Sequence, residues 1–183
     1  MVVHCVTGQS TCQCYPIDLV CGACTGGWHS FRHGGPCFKI FYSHRVSWND
    51  AKRKCEGDQH AVLAQVTDYS THTHLVKLIS DTHPVSGSDQ FFMIGATDYS
   101  GSWTWENQQS HVSTSHTYWL DGTPDNYCRP QPCVGHQHCL AYTNKNSGGR
   151  YGWDDISCDV HTDYYNYYIC EKNASGHSGP VVG

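Results

Sequence analysis

Twelve cysteines in 183 residues constrain this chain more than any other feature. A chain that spends so many positions on thiols either cross-links them or binds metal with them, and the two uses leave different spacings. Zinc sites gather cysteine and histidine into tight pairs a few residues apart. Cys12-Gln13-Cys14 and Cys21-Gly22-Ala23-Cys24, lying among 14 histidines, keep that use in view. Most of the other cysteines are dispersed, from Cys37 and Cys55 to Cys158 and Cys170. An even, dispersed set fits disulfides, which belong to an oxidising, extracellular setting. The Asn-x-Ser acceptor at Asn173-Ala174-Ser175 agrees with a secretory route. Twelve cysteines allow on the order of ten thousand pairings, so their number alone selects none.

Charge and hydropathy remove further classes. Lys+Arg total 11 against Asp+Glu 16, a net charge of -5, which argues against a nucleic-acid binder with its basic patch. The longest apolar runs, such as 91–94, are far too short to span a bilayer. No basic-then-apolar segment opens the chain, so any secretory signal is expected to be already absent. A mean hydropathy of -0.53 combined with 13% aromatic residues predicts a polar surface over an aromatic core, not a disordered chain.

The chain divides into three stretches. Residues 1–23 hold Cys5, Cys12, Cys14 and Cys21 with almost no periodic apolar pattern, and read as a cysteine-rich arm held by cross-links. Residues 24–172 carry every strand-like and helix-like segment, and 173–183 read as a loose polar tail. Alternation at 37–42 predicts a strand. Ser47 then caps a helix through Trp48, Ala51 and Cys55, and Asp68 caps a second that carries Leu75, Val76 and Ile79 inward. Short apolar runs at 91–94, 139–142, 151–153 and 167–170 predict buried strands. Between Asp98 and His138 the sequence is irregular and rich in Gly, Ser, Pro, Asn and Trp. So long a loop in a compact domain is expected to be functional.

Several linked motifs now occur in one order. Cys24-Thr25-Gly26-Gly27-Trp28 precedes Cys37-Phe38, and Trp48-Asn49-Asp50-Ala51 leads to Cys55. Leu63-Ala64, Met93-Ile94-Gly95-Ala96 and Trp103-Thr104-Trp105 follow, then Trp153-Asp154-Asp155-Ile156-Ser157-Cys158 and Tyr168-Ile169-Cys170-Glu171. In that order residues 24–172 resemble the long form of the C-type lectin-like domain, of the secreted invertebrate kind. The resemblance implies a disulfide-rich α+β fold. Two helices would flank small antiparallel sheets, and a long irregular loop would bind ligand. It implies bridges Cys24–Cys37, Cys55–Cys170 and Cys139–Cys158, and leaves Cys128 and Cys133 to pair within the loop. The four cysteines of the arm would pair among themselves or with another chain.

The resemblance also implies a site. Sugar-binding members hold calcium with a Glu-Pro-Asn or Gln-Pro-Asp tripeptide, a Glu before the next cysteine, and the Asn-Asp of the closing motif. Here those positions are Thr123-Pro124-Asp125, Gln137, and Asp154 with Asp155. Calcium takes six to eight oxygens, and its affinity follows the charge of its ligands. Three acids remain, but Thr123 offers only a short hydroxyl and Gln137 has lost a charge. Either calcium is held by Thr123, Asp125, Gln137, Asp154 and Asp155, or the loop binds sugar directly through Asp125, Asn126 and side-chain amides. A second family calcium site is incomplete, with Asp98 present but Ser102 and Asn126 where acids are expected. The Pro-Asp order resembles galactose- and N-acetylgalactosamine-binding members, in which an aromatic residue follows the Asp by two. Tyr127 stands there, with Cys128 and Cys133 as a staple for its loop. A sugar's apolar C–H face packs on such a plane while Thr123, Asp125, Asn126, Gln137 and Asp154 take its hydroxyls.

The expected partner is therefore a glycan carrying galactose, N-acetylgalactosamine or another N-acetyl-hexosamine, bound in the course of glycan recognition or agglutination. A homo-oligomer joined through the arm would supply avidity. The alternative is a relative that binds protein or mineral. Other features carry less. His72-Thr73-His74 sit about 200° apart around a helix and so do not chelate together. His136 or His138 could line the sugar rim. Asp68 and Asp81 read as solvated helix-end charges, and Trp103, Trp105, Trp119 and Trp153 as core. No Gly-x-Ser-x-Gly elbow or His-Glu-x-x-His occurs, and no enzyme is expected.

Overall fold

The computed structural model describes residues 24–32, 34–83, 90–107, 110–113, 115, 117–126, 136–145, 147–159 and 164–174. The arm at 1–23 with its four cysteines, Tyr127, Cys128 and Cys133, and the tail from 175 lie outside the described residues.

Alternation along the strands builds the fold. Strand β1 (Cys37–Tyr42) pairs antiparallel with β8 (Tyr165–Lys172). Strand β8 also takes β2 (Val62–Leu63) and runs parallel to β3 (Phe91–Thr97). The other edge of β3 meets β6 (Cys139–Thr143), which forms a hairpin with β7 (Gly152–Ile156). The end of β3 passes to β4 (Thr104–Trp105) and then β5 (Ser110–His111). The strands thus join into one mixed sheet, because β8 serves β1, β2 and β3 at once. Strands β3, β6 and β7 are buried along their whole length. That explains why β3 and β6 read as nearly continuous apolar runs, while β7 buries Asp154 and Asp155 with the rest of its length.

Neighbouring residues face opposite sides of a strand, and they separate into two cores here. Cys37, Phe91, Met93, Cys139, Ala141 and Tyr168 pack in one cluster; Phe38, Phe92, Ile94, Leu140, Tyr142 and Ile169 pack in the other. Helix α1 (Trp48–Gly57) covers the first face with Trp48, Ala51 and Cys55, and helix α2 (Tyr69–Thr82) covers the second. Ser47 caps α1 by accepting the Asp50 amide at 3.0 Å, and Asp68 caps α2 by accepting that of Thr71 at 2.6 Å. The buried stripe of α2 is Thr71, Leu75, Leu78 and Ile79. Val76 lies a further 100° round the helix from Leu75 and is half-buried, packing against the edge of the second core cluster.

Disulfides and one close approach fix the layers. Cys24–Cys37, Cys55–Cys170 and Cys139–Cys158 are bridged, as the resemblance implied. Cys55–Cys170 closes 115 residues and ties α1 to β8. Gly95 lets β3 lie against β2, since a Cβ there would sit 2.6 Å from the Leu63 carbonyl oxygen. The Trp48 indole donates to the Ile94 carbonyl at 2.7 Å and pins α1 beside that crossing. Trp105 and Trp153 are fully buried, whereas Trp103 and Trp119 are half-buried and pack on each other at 5.2 Å. Among the described residues no helix is long and apolar enough to cross a membrane.

Candidate functional site

The site forms where the irregular chain before Asp125 is zipped onto β7. The Trp153 amide donates to the Tyr118 carbonyl at 2.7 Å, and the Leu120 amide donates to the Trp153 carbonyl at 3.0 Å. Thr123 Oγ1 lies 2.9 Å from both the Leu120 and Trp153 carbonyl oxygens, so its proton closes this turn. The Thr123–Pro124 peptide is cis. Asp155 then clasps the next two residues. Its Oδ1 accepts the Asp125 amide and its Oδ2 the Asn126 amide, each at 2.8 Å. Asn126 adopts a left-handed φ of 54°, a region asparagine tolerates better than most side chains. Its Oδ1 accepts the Gln137 amide at 2.8 Å, joining the loop to the chain entering β6.

Within this frame Asp125, Asp154 and Asp155 bring one carboxylate oxygen each within 4.8 Å of the others. Asp154 and Asp155 are each 2% exposed. Burial raises the Asp154 carboxyl to about 6, with Asp155 and Asp125 adding to the rise and Lys145 opposing it. Burial likewise raises Asp155, against the backbone amides of Asp125, Asn126 and Asp155 itself, which favour its charge. Two buried oxygens of these residues have no hydrogen-bond partner, Asp154 Oδ1 and Gln137 Oε1. Unpartnered buried oxygens beside crowded carboxylates are costly unless a cation meets them. The donor set is all oxygen and mostly anionic, which fits a hard divalent ion such as calcium.

Of the expected site residues, Asp125, Asn126, Gln137, Asp154, Asp155 and Thr123 come together, but they do different work. Thr123 and Asn126 shape the loop, each with an oxygen already in a hydrogen bond. The residues of the incomplete second site disperse: Asp98 pairs with His138 Nδ1, and Ser102 reaches His111 at 3.5 Å. His72 stacks on Tyr118 at 3.8 Å and His74 packs on Phe31 and Phe38, so the two diverge around α2 as the helical period requires. His138 stands against Tyr99 at 5.0 Å and His136 lies 5.5 Å from His138. One participant went unread in the sequence. Lys145 Nζ lies 3.4 Å from Asp154 Oδ2. The register that sets Ala141 opposite Asp154 and Thr143 opposite Gly152 holds the signal, because Lys145 follows two residues later.

Comparison with known proteins agrees with this architecture. A profile of the lectin C-type domain matches residues 44–172. The chain belongs to the C-type lectin domain family. It is 26% identical over 154 residues to C-type lectin lectoxin-Lio3 of Erythrolamprus poecilogyrus, covering 84% of this chain and 83% of that one. It is 28% identical to the hepatic lectin of Gallus gallus over 83% of this chain, but spans only 61% of that relative. Among solved structures, the SPL-1–GlcNAc complex superposes with a TM-score of 0.61 at 25% identity, covering 87% of this chain and 98% of that one.

Proposed function

We propose that this protein is a secreted carbohydrate-binding lectin whose ligand is a galactose, N-acetylgalactosamine or other N-acetyl-hexosamine residue, bound with the help of calcium. The observation that carries the reading is the convergence of Asp125, Asp154 and Asp155, beside which Asp154 and Gln137 each keep a buried oxygen without a partner. Asp125, Asp154, Asp155 and Gln137 would hold the ion, with Thr123 at the margin, and the ion would offer its open positions to vicinal sugar hydroxyls. The chain's own task is to keep that donor set rigid before ligand arrives. Asp155 does so through the Asp125 and Asn126 amides, and Asn126 through that of Gln137. Tyr127, two residues beyond Asp125, supplies the aromatic plane for the apolar sugar face. Family membership and the GlcNAc bound to SPL-1 support a sugar ligand. The disulfides support an extracellular site of action.

The work proposed is recognition, with no chemical step. Agglutination would follow if the cysteines of the arm join copies of the chain. A calcium-independent version of the same lectin draws on one observation, that Lys145 already places a positive charge beside Asp154. A glycan array run in calcium and again in EDTA tests the reading. Galactose- or N-acetyl-hexosamine signal lost in EDTA supports it in full, and signal that survives EDTA removes the ion but keeps the lectin. No signal in either condition overturns the sugar reading in favour of a protein- or mineral-binding relative.

A further inference from the structure

We propose that Lys145 is a tethered counter-cation of the acidic trio, which competes with a divalent ion for Asp154 and so sets how tightly the site holds that ion. The competition half rests on the calcium reading above; the counter-cation half does not.

The geometry argues for both halves. Three carboxylates within 4.8 Å of one another repel, and two of them are almost fully buried. Lys145 meets that repulsion from one side, with its Nζ 3.4 Å from Asp154 Oδ2 and its side chain 21% exposed. The contact is long for a charged hydrogen bond, and a lysine ammonium rides on a flexible stem. Lys145 is rooted in the turn after β6, where its amide donates to Thr143 Oγ1 at 3.2 Å. It therefore reaches the site without being built into the clasp that Asp155 makes. The other oxygen of Asp154, Oδ1, is buried without a hydrogen-bond partner, so Lys145 meets only one side of this carboxylate. A fixed positive charge at that point weakens any divalent ion held there, because calcium affinity follows the net charge of the site.

The two halves predict opposite signs for one substitution. Lys145→Met keeps much of the side-chain volume and removes the charge. In EDTA it leaves the trio without its counter-cation, and the melting temperature should fall by a few degrees. In calcium the same variant should bind the ion about tenfold more tightly by titration calorimetry, and the calcium-induced rise in melting temperature should grow. Lys145→Arg keeps the charge and should follow the parent chain in both conditions. Lys77→Met, on the exposed face of α2, changes net charge equally and should move neither reading. An unchanged melting temperature in EDTA overturns the counter-cation. Equal or weaker calcium binding by Lys145→Met, when the parent binds, overturns the competition. Calcium bound by neither protein overturns both the calcium reading and the competition, while the EDTA comparison still decides the counter-cation.

Discussion

Glu171 and Gln65 meet inside the protein in a half-satisfied pair. Oε2 of Glu171 accepts the Gln65 amide at 2.7 Å, while its Oε1 and both polar atoms of the Gln65 side chain are buried without partners. Glu171 is 1% exposed, and burial raises its carboxyl to about 7, against the Gln65 amide that favours the charge.

An acid whose folded pKa is raised binds its proton more tightly folded than unfolded. Its contribution is fully present below the unfolded value near 4.5 and is lost as pH rises through about 7. Glu171→Gln removes this penalty and keeps an acceptor for Gln65. It should gain on the order of 3 kcal/mol over the parent at pH 8 and little at pH 4.5, by chemical denaturation. A difference independent of pH would show that Glu171 titrates as an ordinary carboxylate.

The clasp at Asp155 separates folding from binding. Asp155→Ala leaves the Asp125 and Asn126 amides without acceptors and should cost about 1–3 kcal/mol of stability, along with sugar binding. Asp125→Asn removes a charge but no clasp, so it should keep the melting temperature and lose at least about tenfold in sugar affinity. Asp121→Asn, a fully exposed acid nearby, is the control for both. Glycan titration beside thermal melts makes the comparison.

The crossing of β2 and β3 tolerates no side chain at Gly95. A methyl group would press on the Leu63 carbonyl oxygen, which is backbone and cannot swing aside. Gly95→Ala should destabilise by about 1–3 kcal/mol in urea titrations. A variant as stable as the parent would mean that β2 can shift without cost.

Replacing Cys55 and Cys170 together by serine should remove about 4–5 kcal/mol in the chain-entropy model, because the bridge closes most of the domain. Denaturation under non-reducing conditions measures it. A loss below about 1 kcal/mol would place the constraint elsewhere, in the packing of α1 on β8.

Elements whose pattern follows from local chemistry were legible in the sequence. Ser47 and Asp68 announced their helices because a capping oxygen is a local requirement, and 91–94 announced a strand because a fully apolar run that short, ended by Gly95, suits a strand buried on both faces. The three bridges followed from family resemblance, since spacing alone selects none. The acidic trio was legible by the same route. Its architecture was not, because Asp155 holds the loop through backbone amides, and these carry no residue-type signature. Thr123 read as a short ligand, yet its hydroxyl sits between two carbonyls, a choice fixed by the zipping of 118–123 onto β7. Lys145 was hidden because its partner is nine residues away across a turn, and that distance has meaning only once the hairpin register is known.

The pairing of Cys37 with Lys172 puts the first and last strands of the described domain side by side. Strands β8, β3 and β6 separate that edge from β7 and its acids, roughly 15–20 Å at ordinary strand spacing. Whatever is joined before β1 and whatever follows β8 therefore depart from one place, like a handle, with the acids on the far strand. A surface tether or a fusion partner attached at either end would begin three intervening strands away from the acids.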